Sequence, residues 1–552
     1  MGTTVALVKY VQILKKFVFK SVNSNYKKQT VKEGEIIMRT WKKIIISAMA
    51  ALGIACFAGG TVDAASVKID ETTFPDACVR TYARQQDKNN DGVLSEEEIK
   101  AVTKFDWTES ANITKCGVKP GMKINFKGME VFTNLKEVKI NSIFFMKEQM
   151  RRCWYLENDD ILSQFPYAEY LALSNIENIT LSPSNKNLKE LVVYYDKLSV
   201  TAPITSVDKL TTFSTSLDGY SQDWGNCFPN AKKVSIALDD VQKEINGFKQ
   251  LEQLEITGYN AGKTLNLSRY KDTLKRLQIG DTWEETQWAC YAPDYINSLT
   301  TLDISSMKKL ETVEACTVSS LERIILADSR GKSALNNLKT LHITNNKIKK
   351  LDLAAAANIE EVFVGGKLSE INVNRCKKLQ KLLINSNSLK KLTIKNKSLK
   401  HLEIKSTQLG KINVGGCTNL IGLKISGKQK RSIAKLDLSK NRKLVYLRMY
   451  DKKKCSAVIL PKVSTPSKFN TLYEPKENRS IKCDYWVPAV KVDVSKYTRM
   501  PAKVKKYQIK SIIAQKYSKT KKLMINKKLR KADKKWIKKL AKKWKIKVVE
   551  KK

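Results

Sequence analysis

An apolar pattern spaced L-x-x-L-x-L returns about every twenty residues along the second half of this 552-residue chain. It is seen at Leu338/Leu341/Ile343, Ile359/Val362/Val364, Leu379/Leu382/Ile384, Leu399/Leu402/Ile404, Leu420/Leu423/Ile425 and Leu444/Leu447/Met449. A second triplet follows each by about ten residues, as in Leu368/Ile371/Val373 and Leu389/Leu392/Ile394. The same pattern runs backward through Leu321/Ile324/Leu326, Leu299/Leu302/Ile304, Leu274/Leu277/Ile279 and Leu251/Leu254/Ile256. It continues through Ala231/Val234/Ile236, Leu188/Leu191/Val193 and Ala168/Leu171/Leu173 to Leu135/Val138/Ile140. Alternation within L-x-L turns two side chains inward and the intervening one outward, so each repeat lays down one short strand and returns through a second extended segment. No single coil can bury its apolar side. Stacking the coils makes the core, and the expected fold is an α/β solenoid of short parallel strands.

Ahead of the repeats stands DKNNDGVLSEEE, Asp87 to Glu98. A twelve-residue loop satisfies a hard cation with oxygens from positions 1, 3, 5, 7, 9 and 12 when a glycine at position 6 permits the turn. Asp87, Asn89, Asp91, Gly92, Val93 through its carbonyl, Ser95 and Glu98 meet those requirements, with Leu94 as the apolar docking residue. Phe74-Pro75-Asp76 predicts the start of one flanking helix. Ser95 with Glu98 predicts a capping box opening the next, through Ile99 and Val102. Three carboxylates and no second loop imply weak calcium affinity, of the order of 10⁻⁴ to 10⁻³ M. Such a site fills outside a cell and acts as a structural cap.

The N-terminus points the same way. From Met38, a basic start (Arg39, Lys42, Lys43), an apolar run from Ile44 to Gly59 and small residues at Val62-Asp63-Ala64 have the form of a secretory signal peptide. Lys32-Glu33-Gly34-Glu35 can be encoded by a purine-rich run of the kind that precedes a bacterial start codon, so residues 1–37 are expected to be a mis-assigned extension. The boundaries expected are 38–64 for the signal peptide, 65–125 for the helical calcium cap, 126–460 for the repeats, 461–490 for a linker or capping segment, and 491–552 for a lysine-rich end.

Signal peptide, loop and coils together resemble a group of secreted leucine-rich-repeat proteins of Gram-positive anaerobes that carry one EF-hand-like loop before the repeats. The resemblance spans roughly residues 38 to 450. It implies a leucine-rich-repeat array behind an EF-hand-like cap, Ca²⁺ as the bound ion, and an extracellular binding or adhesion protein retained at the bacterial surface. The asparagine that satisfies turn amides after the strand is present at Asn346 and Asn387, but Lys367, Thr407 and Lys428 stand at the equivalent places.

Catalysis finds no support in the sequence. The two histidines, His342 and His401, fall at outward strand positions three coils apart and are expected to be solvated. No nucleophile elbow, phosphate loop or H-E-x-x-H motif is present. Cys376 and Cys417 share a column two coils apart, too far for a disulfide at the strand spacing. Cys78 with Cys116 and Cys455 with Cys483 remain open as bridges. For binding, outward residues of the coils and two aromatic segments are the candidates: Trp224 in one, Trp283, Trp288 and Tyr291 in the other, and Phe363 on a strand, facing a protein or glycan ligand.

The formal charge of +47 is concentrated at the C-terminus. Residues 491–552 hold 25 Lys/Arg against Asp493, Asp533 and Glu550. LRKADKKWIKKLAKKWKIKVVE predicts a helix with Ala532, Trp536, Ile537, Leu540, Ala541 and Trp544 on one face, between two strands, as a small β-α-β module. Lys534, Lys535, Lys538, Lys539, Lys542 and Lys543 are its candidate polyanion contacts, for an anionic wall polymer or membrane surface. The alternative function from this end is an extracellular polyanion or nucleic-acid-binding protein with the repeats as scaffold.

Overall fold

The computed structural model describes residues 66–551 except 147–148, 153, 159, 177–178, 195–197, 214–222, 238–240, 258–261, 281–297, 345, 428–430, 450–454, 463–468, 471–479, 482–483, 503 and 515–517. Its backbone is a leucine-rich-repeat solenoid. Sixteen strands, from Lys104–Trp107 to Asp484–Trp486, form one sheet in chain order, each parallel to the next. The register puts like residues side by side: Leu341 beside Val362, Val362 beside Leu382, Leu382 beside Leu402, and Leu402 beside Leu423. All of these are fully buried. The inward columns therefore form one continuous core, as the periodicity requires.

The far side of each coil carries shorter parallel strands, paired in small groups such as Lys350–Asp352 with Glu370–Asn372 and Lys391–Thr393 with Lys411–Asn413. In earlier coils, short helices at Trp224–Cys227 and Val241–Ile245 take their place. These helices approach so closely that a Cβ on Gly225 would lie 2.5 Å from the Gly247 Cα, so glycine is required at the crossing.

Coil assignment differs from the sequence expectation in three places. Thr301–Asp303 and Arg323–Ile325 lie on a far-side sheet with Thr264–Leu265, and the main-sheet strand between them is Thr312–Ala315. A coil at Lys209–Phe213 separates Glu190–Tyr194 from Lys233–Ala237. The array also begins before residue 126, because Lys104–Trp107 is already its first strand. Far-side triplets share the L-x-x-L-x-L spacing, so spacing alone does not say which side a triplet occupies.

The expected strand-helix-strand end is present as Lys522–Asn526, Lys531–Lys543 and Lys547–Lys551. It is not a separate module. Its strands continue a five-stranded parallel far-side sheet that starts at Ile433–Asp437 and passes through Cys455–Ile459 and Ala489–Asp493. Ile537 and Ala541 are buried and Trp536 and Leu540 partly so, whereas Ala532 and Trp544 are exposed. Trp544 ends the helix as its C-cap, which turns it off the apolar face.

Turn amides are satisfied in two columns. Asn346 accepts from the Ile348 N–H at 3.0 Å as expected, but in the next coils Ser386 and Ser406, one residue before the expected Asn387 and Thr407, accept from Ser388 N and Gln408 N. Three residues before the leading apolar position, Asn185, Asn396 and Asn441 each donate to two carbonyls of the preceding coil. Cys376 and Cys417 fill that column in other coils, each buried with its thiol on a carbonyl, which burial favours by holding the thiol protonated. Cys78 and Cys116 are both buried and not bridged; Cys455 is an unbridged thiol, and Cys483 lies outside the described residues.

Candidate functional site

Three regions carry chemistry: the loop at the front, the outward face of the main sheet, and the lysine-rich end. At the front, α1 (Ala77–Gln86) starts two residues after Pro75, because Asp76 is its N-cap and accepts from Cys78 N and Val79 N. The second helix, α2 (Glu96–Ala101), opens with the capping box: Ser95 Oγ accepts from Glu98 N, and Glu98 accepts from Ser95 N at 2.9 Å. The other Glu98 oxygen accepts from Lys88 N at 2.7 Å, so the two ends of the loop are held together through one carboxylate. Those backbone donors, Ser95 first, hold Glu98 below the ordinary glutamate range.

Inside the loop, Gly92 turns at φ +81° and its N–H reaches Asp87 at 2.9 Å; Asp91 accepts from Val93 N at 2.8 Å and from the Asn89 amide at 2.9 Å. The donor set of Asp87, Asn89, Asp91, Val93 carbonyl, Ser95 and Glu98 is all oxygen, which fits calcium. Among the described residues no three His, Cys, Asp or Glu side chains converge as a ready metal cluster. The loop as it stands is closed on its own N–H groups. Its short strand Val93–Leu94 is paired by Val67–Lys68, the first strand of the described chain. α1 is joined to the array, with Tyr82 edge-on to Phe105 at 4.8 Å and Asn125 N donating to Asp76 at 3.2 Å.

On the outward face of the main sheet, two in-register rows stand out. One passes through Glu255, Gln278, Glu314, His342, Phe363 and Leu383 to Glu403, Lys424 and Arg448. The other passes through Lys209, Lys233, Gln253, Arg276, Thr312, Thr340, Glu361, Lys381 and His401. Neighbours bond along and across the rows: Arg276 to Glu314 at 2.6 Å, His342 Nδ1 to Glu314 at 3.0 Å, His342 Nε2 to Glu361 at 3.3 Å, and Lys424 to Glu403 at 2.8 Å.

This network corrects two expectations. The histidines are not solvated, being only 7% and 4% exposed for His342 and His401. They also lie in different rows. Burial works against the charged form of His342, but bonds to Glu314 and Glu361 outweigh it and raise its pKa. Burial, with Lys381 and Lys400 adding repulsion, pushes His401 down to about 4. Phe363 is outward but 3% exposed, stacked on His342 at 4.3 Å and under the Lys381 ammonium at 4.5 Å. Its ring is taken by the protein's own side chains.

Trp224 is likewise a packing residue: it is 5% exposed, stacked on Phe228 at 6.1 Å, and its backbone N–H donates to Glu244 at 2.7 Å. The aromatic ligand role expected for Trp224 and Phe363 is not available to buried rings. Trp283, Trp288 and Tyr291 lie outside the described residues. The residues missed in the sequence are the small ones. Where the outward row carries Thr211 and Ser235 between long flanking side chains, the face sinks into a depression of about 300 Å³. Only the correct assignment of the Lys209–Phe213 coil would have aligned them.

At the basic end, both acids of the helix-strand unit are consumed internally. Asp533, fully buried, bonds Lys505 at 2.6 Å, Arg530 at 3.2 Å and the Met500 N–H at 3.0 Å. Glu550 bonds Lys534 at 2.9 Å and Lys538 at 3.8 Å. Of the six candidate lysines, these two are therefore paired, and Lys535, Lys539, Lys542 and Lys543 are exposed with no acid partner among the described residues. Trp544, 40% exposed, adjoins them in sequence.

No family model matches the chain, and no curated protein sequence matches it. Solved structures do resemble it. The functional domain of InlJ from Listeria monocytogenes, described as including a cysteine ladder, is 16% identical with a TM-score of 0.38, covering 72% of this chain and 76% of that one. A leucine-rich-repeat protein of Leptospira interrogans is 15% identical with a TM-score of 0.41, covering 82% and 97%. The APL1 leucine-rich-repeat domain is 13% identical with a TM-score of 0.32, covering 73% and 76%.

Proposed function

We propose that the chain is a non-catalytic binding protein, exported and held at a bacterial surface, that engages a protein ligand on the outward face of its main sheet. The observation that carries this is the face itself. Sixteen parallel strands present in-register rows of charged and polar side chains, a long ordered surface of the kind repeat arrays use for recognition. The two histidines are buried in separate rows, and His342 is bonded to Glu314 and Glu361, so they do not form one acid-base pair. Asp87, Asn89, Asp91, Val93, Ser95 and Glu98 would hold Ca²⁺ between α1 and α2 and stiffen the cap. Unpaired lysines around Trp544 would keep the protein on an anionic polymer or lipid surface.

A photo-reactive side chain at Leu383, on the outward face, is expected to give discrete adducts with surface proteins of the host or neighbouring cells. The same group at Lys391, on the far side, is expected to give none of these. Identical adducts from both positions would overturn the assignment of the face. Mass spectrometry of the exported product tests the location: its N-terminus is expected near Ala65, and peptides from residues 1–37 in cells would refute the start at Met38.

A further inference from the structure

We propose that the depression on the outward face between Lys209 and Arg276 is a receptor for a single carboxylate, the side chain of an aspartate or glutamate on a partner protein. This rests on the reading of the face as the binding surface and names its chemistry at one place.

The depression exists because of which residues fall in register. Thr211 and Ser235 are adjacent in the central outward row, flanked by Lys209, Lys233 and Gln253 in the row beside it. Short hydroxyl side chains between long ones leave a hollow of about 300 Å³. Lys233 and Ser235 are two apart on one strand and so point to the same side. Thr211 and Ser235 are on neighbouring strands, about 4.8 Å apart. Thr211, Ser235 and Lys233, two hydroxyl-bearing residues and one lysine, thus line one hollow. A carboxylate presents two oxygens with about four lone-pair sites, and accepts from such a set with charge-assisted bonds.

Three polar groups at the rim, Lys209, Arg276 and Gln278, are already paired. Lys209 bonds Glu190 at 2.8 Å, Arg276 bonds Glu314 at 2.6 Å, and Gln278 bonds Glu255 at 2.9 Å. The centre is different. Ser235 is 7% exposed and its hydroxyl has no hydrogen-bond partner among the described residues. An unbonded buried polar atom is destabilising, so a ligand that satisfies it offsets that penalty. Lys233 is exposed and has no ion pair among the described residues. The carboxylate that feels its charge, Glu252, is bonded to Lys275 at 2.6 Å. An uncommitted cation beside an unbonded hydroxyl selects an anionic acceptor.

Among the described residues the lining contains no aromatic ring. A sugar ring would gain no stacking surface on them. That favours an acidic residue of a protein over an acidic glycan.

The test uses the full chain and small probes. In saturation-transfer NMR, N-acetylglutamate methylamide is expected to bind at millimolar concentration, and the glutamine analogue at least fivefold more weakly. Lys233→Gln and Ser235→Ala are each expected to abolish the difference. Lys232→Gln, which removes the same charge outside the hollow, is expected to preserve it, and unchanged thermal unfolding shows that the variants fold. Equal binding of the acid and its amide, or full binding by Lys233→Gln, would overturn the proposal. Glucuronate binding as tightly as the glutamate probe would overturn the assignment to a protein side chain. Failure here with outward-face adducts still formed at position 383 refutes the carboxylate receptor alone, whereas loss of those adducts refutes the underlying reading of the face.

Discussion

Removing the charge from Asp533 should loosen the C-terminal end of the solenoid without touching its middle. The carboxyl is fully buried among Lys505, Arg530 and the Met500 N–H. Burial by itself favours the neutral acid, but the Lys505 and Met500 bonds prevail and bring its pKa from 3.8 down to about 2. That difference corresponds to ~2.5 kcal/mol in favour of the folded, ionised form. Because the folded pKa is the lower, the stabilisation is complete above about pH 4 and is lost as pH falls from about 4 to about 2. In Asp533→Asn the charge is absent at every pH, and Lys505, whose side chain is 20% exposed, loses its counter-charge. A loss of ~2–3 kcal/mol is expected at neutral pH. Repeat arrays lose their ends first, so the assay is hydrogen exchange. Amides of Lys522–Asn526 and Lys547–Lys551 should exchange about 30-fold or more faster, while those of Lys381–Ser386 are unchanged. Wild-type protection retained at neutral pH in Asp533→Asn would refute the claim that this ion cluster fastens the end.

Other substitutions test the remaining regions. Glu98→Gln is expected to abolish any rise in unfolding temperature that calcium gives the wild type, read by calorimetry with and without chelator; a wild type indifferent to calcium would show that the loop binds no structural ion. Replacing Lys535, Lys539, Lys542 and Lys543 together with Gln should leave the unfolding temperature unchanged but release the protein from anionic vesicles or wall fragments at moderate salt, and retention at the wild-type salt concentration would refute the electrostatic anchor. Gly366→Ala should cost more than about 2 kcal/mol, since Gly366 sits at φ +98° and a Cβ would lie 2.4 Å from the Asn346 carbonyl oxygen. His401, buried with its pKa near 4, binds no proton in the folded state between pH 6.5 and 4, so stability should fall as pH drops through that window and His401→Gln should flatten the profile.

The later coils were legible in the sequence because nothing interrupts them. From Leu338 to Met449 the main-sheet triplets are fully buried at the positions the spacing predicts. Between residues 200 and 330 the period is stretched by insertions and by helices such as Val241–Ile245, and triplets on the two sides of a coil have the same form. Val313 and Ala315 were lost to the far-side Leu302 and Ile304 for that reason. The loop's donors were readable because calcium coordination is encoded locally, whereas its strand partner Val67–Lys68 was not, being a two-residue strand with no pattern of its own. Burial of outward residues was illegible for a further reason. Phe363 and His342 point away from the core as predicted, but each is covered by neighbours from other coils, and cross-strand neighbours depend on register that a periodic sequence leaves ambiguous.

The same register argument explains why the basic end cannot be removed as a unit. A cut at residue 491 falls inside the strand Ala489–Asp493, whose Val492 is fully buried and pairs with Val458 on one side and Leu523 on the other. Deletion would strip the edge from Cys455–Ile459 and leave a parallel strand with unpaired amides and an apolar face in water. Lys551 also bonds Asp493 at 3.0 Å, tying the last strand back to the one two places before it. The lysine-rich segment is therefore the cap of the far-side sheet and the carrier of the charge at once. Its two duties separate by side chain: Asp533, Ile537 and Ala541 face inward and hold the cap, and Lys535, Lys539, Lys542 and Lys543 face water. Only substitution of the outward set can ask what the charge is for.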